Sequence, residues 1–225
     1  MPETETEYQW SNKAVGAFSK TSDEAFGNAM MTWGVLHKKG WTLNAVCGVL
    51  GNIHSESGYN PWRWEGDDVR STSNYNSPRK GYGLPQFTET NIHNSVKYID
   101  DPRAKKLYGF GPNFTDREGS QNDGTAQLLF IDAYADYYIN SKYGHNVTYE
   151  EYKVSEADSG YLAVVWLSNY ERPAEEQYWA TMSTRRENAQ YWYNRLNGLE
   201  PPDVPIGGDT KRKLPLWMWI RKEIH

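Results

Sequence analysis

Glu56 is the residue of greatest chemical interest. It falls at i+3 from Ile53 and i+7 from Val49, so on a helix it shares a face with apolar side chains. Gly58 and Asn60-Pro61 follow, which places it in the last turn, at the negative end of the macrodipole. Partial burial and a negative helix end both disfavour a carboxylate. The expectation is an acid that keeps its proton and can hand it to a leaving group, of which a glycosidic oxygen is one. The alternative, from position alone, is a solvated glutamate near a helix end. Other chemistries have weaker support. His37, His54, His93, His145 and His225 show no metal-like pairing, and His54 is expected at the surface. Cys47 is the single cysteine, so it can form neither an internal disulfide nor a zinc site alone. It reads as a small buried hydrophobe. No Gly-x-Ser-x-Gly elbow and no phosphate-cradling glycine loop is present. No metal and no cofactor is expected.

Glu56 needs a helix to hold it, and the local pattern supplies one. Thr42 is a plausible N-cap, and Leu43, Val46, Leu50 and Ile53 form an apolar stripe. Gly48 and Gly51 lie inside this helix, where each costs roughly 1 kcal/mol against alanine. Their expected use is close approach of another backbone. An earlier helix begins at Asp23, with Phe26, Met30, Trp33 and His37 on one face and Lys38-Lys39-Gly40 as its stop. Residues 62–90 are dense in turn formers and predict loops with a small, irregular antiparallel sheet. Helical stripes return with Leu128, Ile131, Ala135 and Tyr138, then with Leu162, Val165, Trp166 and Asn169 after a cap at Ser155 or Asp158. The last stripe is Tyr178, Met182, Arg185, Ala189, Trp192 and Leu196, closed by Glu200-Pro201-Pro202. The fold class is therefore mainly α with a small sheet inserted after the second helix. Residues 1–22 read as a polar, loosely ordered segment, 23–200 as the main domain, and 201–225 as a linker and aromatic tail.

The chain has 225 residues, 38% hydrophobic and 24% charged, which suits one soluble domain with an appendage. The mean hydropathy of −0.85 and the lack of a run of about 18 apolar residues exclude a helical membrane span. The acidic start, Met1-Pro2-Glu3-Thr4-Glu5, is not expected to act as a secretory signal. A net charge of −5 argues against nucleic acid or anionic lipid as a partner. Ten Trp and 17 Tyr stand against six Phe. Rings with a polar handle suit both a core and a half-wet surface. Trp33, Trp166, Tyr178 and Trp192 fall on helical stripes and are expected in the core. Trp217 and Trp219 lie beyond the linker and suit docking to a partner.

Three blocks carry a family resemblance. Gly51-Asn52-Ile53-His54-Ser55-Glu56-Ser57-Gly58-Tyr59-Asn60-Pro61 resembles the helix end that bears the catalytic glutamate of lysozyme-like muralytic enzymes. Gly81-Tyr82-Gly83-Leu84-Pro85-Gln86-Phe87-Thr88 is similar to the segment lining the sugar cleft of goose-type lysozymes and lytic transglycosylases. Asn169-Tyr170-Glu171-Arg172-Pro173 resembles the third signature of phage tail lysozymes. In that order and spacing, over roughly residues 25–200, the chain resembles the phage tail lysozyme family. The resemblance implies an α+β lysozyme-like fold whose small sheet forms one wall of a cleft. It implies a peptidoglycan hydrolase carried on the virion, acting on the bacterial cell wall, with glycan strands and other tail proteins as partners.

A glycosidase of this kind often pairs its acid with a second carboxylate. Glu65, Asp67 and Asp68 follow Glu56 by 9, 11 and 12 residues, and Glu65 has the spacing closest to the phage-type lysozyme pair. Glu56, Glu65 and Asp67 are the expected catalytic residues; Glu171 and Asp132 are weaker candidates, Glu171 reading better as a structural partner for Arg172 or for a backbone N–H. Trp64, Tyr82, Gln86, Thr88 and Tyr170 are the expected substrate contacts, with Trp62 beside them. Three functions remain open at this level: a muramidase, a lytic transglycosylase giving 1,6-anhydro products, and a wall-binding tail component without activity.

Overall fold

The computed structural model describes residues 7–13, 15–67, 81–86, 123–139 and 141–206. Six α-helices organise them: α1 (Asp23–His37), α2 (Leu43–Ser57), α3 (Asp123–Tyr134), α4 (Tyr149–Lys153), α5 (Ser159–Trp166) and α6 (Glu175–Leu196). A π-helical turn, Leu167–Glu171, continues α5. No described helix is long and apolar enough to cross a membrane.

The helix ends follow from local chemistry. The Ser22 hydroxyl accepts from Ala25 N and starts α1, and the Thr42 hydroxyl does the same for Ala45 N at α2. Gly58 ends α2 in the left-handed region, with φ 55°. Asp158, the second of the two expected caps, starts α5 by accepting from Tyr161 N. α3 stops at Tyr134, so Tyr138 leaves the expected helical stripe and is exposed.

α2 is the central element. Every residue from Ala45 to Ile53 is buried, and the helix packs against α1, α5 and α6. Cys47 lies fully inside, where burial pushes its thiol well up. The two interior glycines make this position available. A Cβ on Gly48 would stand 2.5 Å from Tyr152 Oη. A Cβ on Gly51 would stand 2.5 Å from Arg185 O and 2.9 Å from Ala189 Cβ. Gly51→Ala is therefore expected to destabilise. Helix propensity favours alanine by about 1 kcal/mol, but wedging α2 from α6 costs about 1–3 kcal/mol. Urea denaturation checks the sign; a stabilised Gly51→Ala protein would show that the backbones are not in contact.

Three expectations change. The small sheet is reduced, among the described residues, to one antiparallel bridge between Trp64 and Tyr82, framed by Glu65 N donating to Gly81 O (2.8 Å) and Gly83 N donating to Arg63 O (2.9 Å). Residues 68–80 and 87–90 of that predicted sheet lie outside the described residues. The described part of the N-terminal segment, from residue 7, is tied down rather than loose. Trp10 is buried and its indole N–H donates to Thr125 Oγ1 at 2.8 Å, while Asn60 Nδ2 donates to Lys13 O and Gly16 O. The start of the expected linker also packs. Val204 is buried in the core beside Gly34, and Lys38 pairs with Asp203. Trp217 and Trp219 lie outside the described residues.

Trp33, Trp166, Tyr178 and Trp192 are all buried, as their stripes predict. Trp192 Nε1 donates to Tyr59 Oη, which anchors α6 to the loop after α2. His54 is half-buried rather than at the surface, and burial pulls its imidazole below the ordinary range, with Lys20 adding to the effect. Asp132 serves structure. Its carboxylate accepts from Trp41 Nε1 (2.8 Å) and pairs with Lys153 (2.9 Å), joining α3 and α4 to the loop before α2.

Candidate active site

Glu56 projects from the last turn of α2, one turn beyond Asn52 on the same face. α6 reaches both residues because Gly51 lets its backbone approach. Arg185 Nη1 donates to Asn52 Oδ1 at 2.8 Å, and Nη2 donates to Glu56 Oε1 at 2.6 Å. The planar guanidinium matches two acceptors one helical turn apart, a fit that lysine could not reproduce. Asn52 is itself fixed, since its Nδ2 donates to Gly48 O and Ala163 O, both at 2.9 Å. The arginine side chain is 6% exposed and the glutamate side chain 21%. Glu56 is thus held by the core on one side and open to a cleft on the other.

That cleft encloses about 470 Å³. One wall is the end of α2 with Arg185. The facing wall is Arg63, Glu65, Gly66, Gly81, Pro85 and Gln86. The floor comes from Tyr170 to Pro173, with Asp136 and Gln177. The π turn shapes that floor. Its wider winding ends with Arg172 N donating to Leu167 O at 2.9 Å and with Arg172 itself in the left-handed region, φ 49°. The Tyr170 ring stacks on Trp166, centroids 4.4 Å apart, and burial pushes its hydroxyl well up.

Glu171 accepts a hydrogen bond from Trp166 Nε1 at 3.2 Å. Burial, and then the nearby charge of Glu56, push its carboxyl up to about 8; Arg185, the Trp166 hydrogen bond and Arg172 pull the other way. Of its two expected structural partners, the Arg172 guanidinium is engaged elsewhere. Arg172 Nη2 pairs with Asp136 Oδ2 at 2.7 Å.

The expected site residues separate here. Glu56, Glu65, Gln86 and Tyr170 line one cleft. Asp67 does not line it: Arg63 grips the exposed carboxylate through Nε (2.7 Å) and Nη2 (3.2 Å), and that guanidinium holds it below the usual carboxylate range. Trp64 and Tyr82 are 1% and 0% exposed, their rings packed 4.6 Å apart, so neither offers a face to a sugar. Trp62 is buried as well. Alternation along a short bridge sends these large rings inward, where their apolar area is buried. Both amide hydrogens of Gln86 are committed, to Arg63 O (3.1 Å) and Gly83 O (2.9 Å), leaving its carbonyl oxygen for a ligand. Thr88 and Asp68 lie outside the described residues.

The profile of the phage tail lysozyme family matches residues 27–196. The chain belongs to the phage tail lysozyme family. A curated relative is "Morphogenesis protein 1" of Bacillus phage B103, with 31% identity over 175 residues. That match covers 76% of this chain and 40% of the relative, so the chain spans less than half the length of that protein. All of the cleft-lining residues from Ser55 to Arg185 fall inside the family match.

Arg185 and Asn52 are the two site residues not expected from the sequence. Arg185 does leave a signal: it is an arginine on the apolar stripe of α6, and a charge there demands a buried partner. Asn52, inside a block but one turn before the acid, is the buried amide that orients that partner.

Proposed function

We propose that this domain degrades bacterial peptidoglycan from a phage virion, cleaving the β-1,4 glycan bond as a muramidase with Glu56 as general acid. The observation that carries the reading is the placement of Glu56. It stands at the mouth of a polar cleft, with its carboxyl fixed by a buried arginine, in a chain of the tail lysozyme family. Fixing the acid matters because proton transfer requires hydrogen-bond reach to the leaving oxygen.

Glu65 is the second carboxylate. It lines the opposite wall, and its Oε2 accepts from Gly81 N at 2.9 Å, so the bridge that builds the wall also aims the side chain. In that place it supports the cation that forms at the sugar, or positions the water that attacks it. Asp67, held in a chelate by Arg63, takes no direct part. Tyr170 and the carbonyl of Gln86 contact the sugars from the floor and the facing wall.

Digestion of purified sacculi, with mass spectrometry of the products, tests the chemistry. Hydrolysis gives ends that carry one added water, whereas a transglycosylase gives 1,6-anhydro ends lacking it. Glu65→Gln is expected to slow the reaction roughly 10²-fold. Anhydro products together with an undiminished Glu65→Gln rate would establish the transglycosylase instead. Binding to sacculi without release of any fragment would make the domain a wall-binding component.

A further inference from the structure

We infer that Glu171 is a positioning residue for the catalytic proton: with Glu56 and the buried guanidinium of Arg185 it forms one charge cluster that holds one proton. The inference rests on the reading of Glu56 as the acid.

Three elements meet at this cluster. Glu56 comes from α2, Arg185 from α6, and Glu171 from the π turn, and all three line the same cleft. The other charged and titratable groups nearby are already matched. Arg172, next to Glu171 in the chain, pairs with Asp136 from the segment after α3. Tyr170 is a half-buried phenol whose hydroxyl desolvation pushes well up. Glu65, on the facing wall, accepts from a backbone N–H. Arg63, on the same wall, pairs with Asp67. Among the described residues of α2, α6 and the π turn, that leaves two carboxylates and one cation. Arg185 directs its two hydrogen bonds to Glu56 and Asn52, so the donor that Glu171 receives among the described residues is a neutral one, Trp166 Nε1. Two carboxylates that share one site ionise in turn, not together. At rest the proton therefore sits on Glu171, the member without a cationic hydrogen-bond donor.

The cycle balances. The O–H bond of Glu171 breaks and an O–H bond forms on Glu56, directly or through one water. Glu56 then gives that proton to the glycosidic oxygen as the C–O bond breaks. The water that completes hydrolysis bonds to the sugar and returns one proton to the cluster. The pair ends as it began, with one proton between two carboxylates.

Two measurements test this. The first is the pH profile of kcat/KM on solubilised glycan strands. In Glu171→Gln the alkaline limb is expected to move to lower pH by about one unit or more. The Gln carbonyl still accepts from Trp166, and Glu171→Asp is expected to restore much of the parent limb. A Glu171→Gln profile that superposes on the parent, or one lowered equally at every pH, would overturn the inference. The second is a carboxyl ¹³C NMR titration of glutamate-labelled parent protein, which needs neither catalysis nor a variant. One glutamate is expected to titrate near 8 and to move to lower pH in Glu56→Gln. If no glutamate in the parent titrates above about pH 7, the shared proton does not exist. The two readings fail separately: an active Glu56→Gln enzyme removes the proposed acid, whereas the NMR result judges the cluster alone.

Discussion

Glu56→Gln leaves a folded protein that releases peptidoglycan fragments about 10²–10⁴ times more slowly than the parent, the usual contribution of a positioned general acid. The substitution is close to isosteric. The Gln carbonyl still accepts from Arg185 Nη2, so the seam between α2 and α6 keeps its shape. What disappears is the transferable proton. The appropriate readout is fragment release from purified sacculi at several pH values, beside circular dichroism and a urea curve. A folded variant that clears sacculi at the parental rate would remove Glu56 from the mechanism, and with it the cleft as the reacting centre.

The second large effect is expected in stability as well as rate. Arg185→Met fills a similar volume but withdraws both donors from a seam in which the arginine side chain is 6% exposed. Asn52 Oδ1 is then buried without a partner, and Glu56 loses its counter-charge. Breaking a buried pair in this way costs about 3 kcal/mol, at the low end of the usual range because Glu56 keeps some access to water. Activity falls too, since nothing then fixes the carboxyl. Arg185→Lys recovers charge but not the two-acceptor geometry, so it is expected to restore stability better than rate. A double-mutant cycle with Glu56→Gln isolates the pair. If the two substitutions add in urea, the ion pair is not a structural element.

Much of this arrangement is written locally in the chain. The start of α2 at Thr42, its end at Gly58 and the two interior glycines follow from cap chemistry and backbone freedom, which involve neighbours in sequence. The position of Glu56 follows from those ends. Features that depend on distant partners are less legible. Trp64 and Tyr82 belong to a cleft-lining segment, yet which way their rings turn is decided by the bridge between them. Asp67 and Glu65 sit two residues apart in the same turn; only the position of Arg63 shows that one is chelated and the other lines the cleft. The role of Glu171 depends on a π turn, for which a stripe of apolar residues gives no warning. The N-terminal residues look loose by composition because their anchors, Trp10 and Asn60, find partners far along the chain.

The close contact of α2 and α6 at Gly51 has a thermodynamic consequence. The acid, the cation that holds it and the amide that orients the cation all stand on the two longest-packed faces of the core, not on a flexible rim. Loss of the working geometry therefore requires loss of the core itself. Heat inactivation and global unfolding become one cooperative event, and no milder melting of a peripheral segment can switch off the acid first. On the facing wall the core holds Trp64, Tyr82 and Leu84, whereas the turn at residues 65–67 is exposed and outside that packing. Sequence drift in such a molecule can retune which sugars enter while the proton donor stays where the core puts it.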